Sequence, residues 1–329
     1  MIFRREKLGK GFRYLDKEGK VVRNPVLMDY FKSLVIPPAW KDVVINNSPR
    51  AKILATGYDA KGRKQYIYNP KFRQQKENEK FDRILRFAAE LEHMRRVTGQ
   101  HLRKRKPTRE KVLATMVRLL DTAFFRPGND HYSKSNNSYG LTTLRSRHLT
   151  IDGDEMIFCY KGKSGQEQEK RIVDERLTKI VKELDELPGY EIFKYYDENG
   201  VLQDVKSNHL NEYIREIMGE EFSAKDFRTW AGTVIAAIAL KELGAVEEKD
   251  QKTLKKNIRD AVVSVSEKLG NTPAIARSSY IDPRVIEHYT HGKTLANVDR
   301  QVKRLLKTNE QLSVEELGVL CLLKKNLDK

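Results

Sequence analysis

The chain has 329 residues, and its 63 Lys and Arg against 46 Asp and Glu give a formal net charge of +17. No apolar run approaches the roughly 20 residues that a membrane span requires, and two cysteines, Cys159 and Cys321, are too few for a disulfide framework or a thiolate metal cage. The first residues have none of the apolar character of a secretory signal. We therefore expect an intracellular protein whose partner is a polyanion.

The positive charge is concentrated near the beginning of the chain. Residues 1–80 hold 19 Lys and Arg against 8 Asp and Glu, a net charge of +11, whereas the rest of the chain has a net charge of only +6. Such a concentration attracts a phosphate backbone and speeds its encounter with the protein. A solvated basic face without a specific partner is the alternative interpretation.

The first part of the chain has the pattern of β structure, which we predict over residues 21–70. A strand is expected at residues 43–45, where three β-branched residues precede an Asn, Ser and Pro turn. Residues 53–56 and 65–68 are typical of two strands of a hairpin around the glycine-containing turn at residues 59–62.

The periodicity changes after residue 80, where apolar residues recur at helical spacing. Six positions carry this pattern: Phe81, Ile84, Leu85, Ala88, Leu91 and Met94. We place the domain boundary near residues 75–90, which predicts a domain over residues 1–80 and a second, mostly helical one over residues 81–329.

The second domain begins with helices and is interrupted by β structure. A helix is expected after Pro107 and Thr108, with an apolar stripe that extends to Phe124. Strands at residues 148–151, 156–160 and 171–173, separated by glycine turns, predict a small antiparallel meander with Lys163 in its second turn.

Helix starts mark the remainder of the chain. Helices are predicted at Ser207 and at Ser223, the second of which has Asp226 three residues later, close to a capping box. Thr272 with Pro273 is typical of a cap and a first helical residue, and Ser313 opens a helix near the end of the chain. The overall expectation is an α+β fold.

Two nucleotide-binding patterns fail. The sequence Gly292-Lys293-Thr294 would need glycine at position 287 for a P-loop and has Glu287, while Gly9-Lys10-Gly11 lacks the third glycine of a dinucleotide motif. The histidines show no metal-binding spacing. We therefore expect neither a nucleotide cofactor nor a metal, and no cofactor of any other kind.

Three cations and one tyrosine remain as candidate functional residues. Arg126 follows two phenylalanines, and burial of a guanidinium costs several kcal/mol unless an anion meets it. Lys163 lies in a hairpin turn, Arg228 near a helix start, and Tyr280 at the end of the segment that begins at Asn271. Taken singly, each also has an ordinary structural explanation: a buried carboxylate partner for Arg126, a turn lysine, a surface arginine and a residue at the edge of the core.

In this order and with these neighbours, the residues resemble the type IB DNA topoisomerases, in the compact poxvirus-like and bacterial branch. The resemblance runs through nearly the whole chain. In the first domain it is carried by Val35-Ile36-Pro37-Pro38-Ala39-Trp40 and by Thr56-Gly57-Tyr58-Asp59-Ala60-Lys61-Gly62-Arg63-Lys64-Gln65-Tyr66. In the second it is carried by Phe125-Arg126-Pro127-Gly128-Asn129, Gly140-Leu141-Thr142-Thr143-Leu144, Gly162-Lys163, Lys225-Asp226-Phe227-Arg228-Thr229-Trp230, and Asn271-Thr272-Pro273 leading to Tyr280.

The resemblance implies a small basic β-rich domain and a larger, mostly helical catalytic domain with a small antiparallel sheet, which close as a clamp around duplex DNA. It implies ATP- and metal-independent relaxation of supercoiled DNA through a 3′-phosphotyrosyl intermediate. By this resemblance Tyr280 is the nucleophile, Arg126 and Arg228 contact the phosphate oxygens, and Lys163 is the general acid. Asn271 occupies the position at which the poxviral members carry histidine, so a histidine-like pH dependence is not expected.

The resemblance also implies DNA contacts from the first domain. Gln65, Tyr66 and Tyr68 match positions that reach the major groove, where glutamine can pair with adenine. Arg63 and Lys64 are expected to contact the phosphate backbone.

Two other classes stay open. A tyrosine recombinase shares the chemistry, although such enzymes usually carry His-x-x-Arg where this chain has Lys225-Asp226-Phe227-Arg228. An architectural DNA-binding protein would share the charge but would not need Tyr280. For the topoisomerase we expect double-stranded DNA as the partner, action as a monomer, and a cytoplasmic, nucleoid-associated location, or a virion if the source is viral.

Overall fold

The computed structural model describes residues 2–324. The chain divides into two compact units between Phe81 and Asp82, and each unit is described by itself. Within the described residues, the helices are too short or too polar to span a membrane.

The first unit is built on an antiparallel sheet of five strands in the spatial order β2-β1-β3-β4-β5. The strands are β1 (Ile2–Leu8), β2 (Gly11–Leu15), β3 (Lys41–Asn46), β4 (Ile53–Tyr58) and β5 (Lys64–Tyr68). The predicted strand at residues 43–45 and the predicted hairpin are confirmed as β3 and as the β4–β5 pair, in which Thr56 lies opposite Tyr66.

The prediction of mixed β structure over residues 21–70 did not include helix α1 (Pro25–Ser33). The side chain of Asn24 accepts hydrogen bonds from two backbone N–H groups of the first turn, and Pro25 supplies a preset helical φ. The helix buries Phe31 in the core of this unit, where the centroid of its ring lies 5.0 Å from the ring centroid of Phe3. Asn24 as a cap and Pro25 as a first helical residue are therefore the sequence signals that could have predicted this helix.

The second unit is mostly helical, and its first helix, α2 (Pro70–His101), begins in the first unit. The next helices are α3 (Arg109–Ala123), α4 (Asp130–Asn136), α5 (Glu175–Asp185), α6 (Ser207–Met218), α7 (Ala224–Glu242) and α8 (Gln251–Leu269). They are followed by α9 (Pro273–Ser279), α10 (Pro283–Thr290), α11 (Asp299–Leu305) and α12 (Val314–Leu323).

Two small sheets interrupt these helices. The predicted meander is confirmed as an antiparallel sheet of β6 (Leu149–Asp152), β7 (Glu155–Lys161) and β8 (Glu167–Val173). A second hairpin, β9 (Lys194–Tyr196) with β10 (Leu202–Asp204), was not predicted. Helices α5 and α8 were also not predicted.

Helix starts that were predicted from capping residues are confirmed. The side chain of Thr108 caps α3, Thr272 caps α9 with Pro273 as its first residue, and Ser313 forms a capping box with Glu316 at the start of α12. At α7, Asp226 accepts hydrogen bonds from the backbone N–H and the hydroxyl of Ser223. Local chemistry thus sets where these helices begin.

The predicted apolar stripe of α3 is wrong at its last position. Phe124 is the C-cap of the helix and takes a left-handed conformation with φ of 59°. Its ring therefore leaves the α3 stripe and packs against a separate small cluster that includes Ile235 of α7 and Val265 of α8, and that also receives Tyr280. The left-handed turn at Phe124 directs the segment after α3 toward the end of α8, where Arg126 contacts Gly270.

Candidate active site

The C-terminal turn of α8 is the structural centre of the candidate site. The helix ends at Leu269, and Gly270 follows in the left-handed conformation with φ of 60°. The last carbonyl groups of a helix lack intrahelical partners and carry partial negative charge. Arg228 Nη2 donates to Leu269 O at 2.7 Å, and Arg126 Nη2 donates to Gly270 O at 2.7 Å and to Asn271 Oδ1 at 2.5 Å.

We call Arg126 and Arg228 the arginine pair. Arg228 is 2% exposed, and its Nη1 donates to the carbonyl of Phe124. Across residues 2–324 neither arginine forms an ion pair with a carboxylate, so the alternative interpretations of a buried carboxylate partner for Arg126 and of a surface position for Arg228 are both wrong. Two neighbouring guanidinium groups held only by neutral oxygens form a site suited to an anion.

The side chain of Tyr280 lies against Arg228 of this pair. Tyr280 is the C-cap of α9, and its ring centroid is 5.1 Å from Cζ of Arg228. Burial alone raises the pKa of Tyr280, but the positive charges of Arg228, Arg126 and Lys225 outweigh it, so the net pKa lies below the usual value of a tyrosine. The structure therefore brings the tyrosine close to both arginines, whose charges make its hydroxyl easier to ionise than that of an ordinary tyrosine.

A close approach between α7 and Tyr280 was missed by sequence reasoning. A Cβ atom on Gly232 would lie 2.6 Å from the Tyr280 carbonyl oxygen and 2.9 Å from Tyr280 Cβ, so only glycine fits there. The next residue, Thr233, donates through Oγ1 to Tyr280 O at 3.3 Å. Gly232 and Thr233 thus fix the backbone from which the tyrosine projects.

The segment that carries Arg126 is held by the run that begins at Gly140. The N–H of Leu141 donates to Arg126 O at 2.8 Å. Gly128, with φ of +95°, packs on Gly140 so closely that a Cβ on Gly140 would lie 2.6 Å from Gly128 Cα. These two sequence motifs are therefore one structural unit that orients Arg126.

Lys163 lies at the tip of the β7–β8 hairpin, as predicted, in the short turn Lys163–Gly165, which we call the Lys163 turn. The base of the hairpin is fixed, because the N–H of Tyr139 donates to Lys161 O at 2.8 Å and that of Gly162 donates to Gln166 O at 2.7 Å. The Lys163 side chain is exposed. Within residues 2–324 it forms no hydrogen bond or ion pair with the arginine pair, Asn271 or Tyr280.

Sequence reasoning also missed Lys170, a second lysine of this hairpin. Its Nζ donates to Lys268 O at 2.9 Å, on the same turn of α8 that holds the arginine pair. Burial, followed by the charges of Arg228 and Arg126, lowers the pKa of Lys170 to about 8. The strand alternation could have revealed it, because Lys170 shares the inward register with buried Ile172.

The five candidate DNA-contacting residues lie in the first unit, on or next to the edge strand β5. Lys64, Tyr66 and Tyr68 share its exposed face, with Tyr66 43% and Tyr68 46% exposed. The two tyrosine rings stack at 5.9 Å, and Lys64 Nζ lies 5.8 Å from the Tyr66 ring centroid. This face therefore offers aromatic surface together with a cation.

Gln65 and Arg63 are arranged differently, around the carboxylate of Asp59. Gln65 occupies the opposite register of β5, and its Nε2 donates to Asp59 Oδ2 at 2.9 Å. Arg63 forms an ion pair with the same oxygen at 2.7 Å. Hydrogen bonds from the side chain and backbone of Arg63, and then from the backbone of Lys61, lower the pKa of Asp59 to about 2. The carboxylate consequently orders the β4–β5 turn.

Comparison with known proteins finds two family models that match successive parts of the chain. The family model of the eukaryotic DNA topoisomerase I catalytic core matches residues 69–309. The model of the bacterial DNA topoisomerase IB N-terminal domain matches residues 11–59.

The individual relatives that match the chain are also DNA topoisomerases. The DNA topoisomerase 1B of Acanthamoeba polyphaga mimivirus is 33% identical over 295 residues, which cover 88% of this chain and 87% of that protein. The DNA topoisomerase 1B of vaccinia virus (strain Copenhagen) is 27% identical over 292 residues, 82% of this chain and 88% of that protein. The DNA topoisomerase 1 of Mycosarcoma maydis is 25% identical over 194 residues, 53% of this chain and 19% of that protein. The chain belongs to the type IB DNA topoisomerase family.

Proposed function

We propose that the chain relaxes supercoiled duplex DNA by cutting one strand, allowing it to rotate and rejoining it, without ATP or metal. Tyr280 Oη loses its proton to solvent and attacks a backbone phosphorus, the bond from phosphorus to O5′ breaks, and a 3′-phosphotyrosyl bond forms. Religation is the reverse reaction, in which the 5′-hydroxyl attacks and tyrosine leaves. The observation that carries this proposal is the position of Tyr280 against the buried Arg228 and beside the half-buried Arg126, neither of which has a carboxylate partner within residues 2–324.

Arg126 and Arg228 are the proposed ligands of the two non-bridging phosphate oxygens. Negative charge develops on these oxygens during attack, and a guanidinium offers parallel donors to meet it. Because α8 carbonyls already orient both groups, little reorganisation accompanies the reaction. Preorganised donors of this kind are a major source of catalysis.

Asn271 is proposed to add a neutral donor. Its Oδ1 accepts from Arg126, whereas Nδ2 is buried and has no acceptor within residues 2–324, and the same is true of Arg228 Nε. A phosphate oxygen would satisfy such donors. Asparagine stays neutral at every pH, so its contribution does not titrate.

Lys163 is the proposed general acid. The leaving 5′-alkoxide is a far stronger base than a phenolate and needs a proton as the bond breaks. The exposed Lys163 turn stands on a fixed hairpin base, so the lysine can reach a bound duplex. The proton it gives to O5′ returns when the 5′-hydroxyl attacks during religation.

The exposed face of β5 is proposed to contact the duplex, with Tyr66 and Tyr68 against the major groove and Lys64 on phosphate. We propose a contact from Gln65 through its carbonyl oxygen, since Nε2 is bound to Asp59, and a backbone contact from Arg63. The basic first unit would close with the second around DNA as a clamp.

The proposed working form is a monomer that acts on double-stranded DNA and needs no nucleotide. No nucleotide is required because the energy of the cut bond is kept in the phosphotyrosine. The proposed location is the cytoplasm, at the nucleoid if the source is bacterial, or the virion if it is viral.

The test is relaxation of negatively and positively supercoiled plasmid in EDTA without ATP, with wild type beside Tyr280→Phe. We expect wild type alone to relax both signs, since the variant keeps the ring but has no nucleophile. Plasmid binding without relaxation by either protein would contradict the proposal and favour a recombinase that needs its own sites, or an architectural protein.

A further inference from the structure

Three consecutive backbone carbonyls at the end of α8 each accept a hydrogen bond from a different cation. Leu269 O and Gly270 O hold the arginine pair, as described above, and Lys268 O holds Lys170 at 2.9 Å. The mechanism proposed above uses the two arginines and leaves Lys170 without a role.

We propose that Lys170 is a positioning residue of the active site, whose ammonium group holds the C-terminal turn of α8 and thereby aims the arginine pair. This inference rests on the proposed function. It concerns a residue outside the set that the family resemblance implies.

The position of Lys170 links the hairpin to the turn. Lys170 lies on the inward face of β8, opposite Phe158 of β7, and the same strand carries the Lys163 turn at its start. Two residues earlier on this face, Gln168 contacts Gly270 so closely that a Cβ on Gly270 would lie 2.4 Å from Gln168 Oε1. Strand β8 therefore touches the α8 end at two successive inward positions.

Burial of this ammonium works against the fold. The pKa of Lys170 falls to about 8 through burial and then through Arg228 on α7 and Arg126 after α3. From β7 the directly opposite residue is Phe158, and the titratable neighbour Tyr160, whose pKa burial raises to about 12, stays neutral. Folding thus favours the neutral amine, so between pH 8 and the unfolded-state pKa of about 10.4 stability rises with pH.

The sign of this effect separates a positioning role from a purely structural one. A lysine that stabilises the fold would pair with a carboxylate, and its pKa would be raised. Lys170 instead lies near two other cations, and its pKa is lowered. Such perturbed pKa values are common at functional sites. Removal of its charge should therefore leave the melting temperature unchanged or raise it while catalysis falls.

The experiment compares Lys170→Met, Lys170→Arg and the control Arg171→Met, which removes an exposed cation on the other face of the same strand. Single-turnover cleavage by Lys170→Met should fall by up to about 100-fold at pH 7, the loss typical of a small misplacement of reacting groups. Lys170→Arg should restore most of the rate, and Arg171→Met should match wild type. A rate for Lys170→Met equal to wild type would overturn the proposal.

The pH profile gives a readout that a structural role would not move. The wild-type rate, divided by that of Lys170→Arg, should decline as pH rises through about 8, because arginine keeps its charge there. The rate of Lys170→Met, divided by that of Lys170→Arg, should not change with pH. A flat ratio for wild type would contradict the assignment.

A measurement without catalysis separates this proposal from the proposed function. Hydrogen exchange reports the amides of Gly270 and Asn271, which donate to Glu267 O and Ser266 O. Lys170→Met should speed their exchange without lowering the melting temperature. If wild type does not cleave DNA, the proposed function fails; unchanged exchange in the variant would instead overturn the role of Lys170.

Discussion

The arginine pair and the Lys163 turn lie in the same unit and are proposed to act on the same phosphodiester, yet they are built in opposite ways. The arginines are buried or half-buried and are held by carbonyls from α8 and from the segment after α3. Lys163 is exposed at the tip of a hairpin that is fixed only at its base.

This difference follows from the two tasks. Charge that develops on phosphate oxygens is stabilised best by donors that are already oriented and shielded from water. A proton donor must instead reach a leaving oxygen on a large substrate. The electrostatic part of the proposed site is therefore built in advance, while the proposed acid lies on an exposed turn that can reach the substrate.

The largest effect is expected from breaking the preorganised side. Arg228→Ala should lower single-turnover cleavage by about 100- to 1,000-fold, because it removes one oriented donor. A substrate with a better leaving group should not restore the rate. The matched control is Arg259→Ala, an exposed arginine on α8, which should cleave like wild type; rescue of Arg228→Ala by the leaving group would contradict the assignment.

A smaller effect with a different signature is expected on the exposed side. Lys163→Ala should lower cleavage by about 100-fold, the usual contribution of a general acid. A substrate with a 5′-thiol leaving group should largely remove this deficit, since a thiolate leaves without a proton. Lys161→Ala, two residues earlier and also exposed, serves as the control, and the absence of rescue would exclude Lys163 as the acid.

Displacement of the nucleophile should have an intermediate to small effect. Gly232→Ala places a methyl group against the backbone of Tyr280, so the tyrosine must shift by several tenths of an ångström. Cleavage should fall by less than about 100-fold, while DNA affinity stays unchanged. Rates measured at saturating enzyme separate an effect on cleavage from an effect on DNA affinity. A wild-type cleavage rate in Gly232→Ala would show that α7 does not set the position of Tyr280.

The smallest effect is expected in the first unit, where the exposed cations are proposed to serve binding alone. Lys64→Met should reduce the slope of log affinity against log salt by about one, as expected for one lost phosphate contact. Tyr66→Phe should leave the slope unchanged. Filter-binding titrations across salt concentrations test this, and an unaltered slope for Lys64→Met would remove Lys64 from the interface.

Local features of the fold were predictable from the sequence, because they depend on neighbours in the chain. The caps at Thr108, Thr272 and Ser313 and the hairpin that presents Lys163 are of this kind. The arrangement of the site was not, because Arg126 and its acceptor Gly270 are 144 residues apart. Nothing in the sequence of α8 indicates that the carbonyls at its end accept hydrogen bonds from three cations. Helix α1 was missed because the β pattern on either side of it was given more weight than its cap.

The central claim is that Tyr280, held at the arginine pair, is the nucleophile that attacks a DNA phosphate. The most direct measurement is to trap the covalent protein–DNA adduct on a nicked duplex and to map the modified peptide by mass spectrometry. We predict a 3′-phosphate linked to Tyr280, release of a 5′-hydroxyl strand, and no adduct in Tyr280→Phe. An adduct on another residue, or a linkage to the 5′-phosphate, would contradict the account.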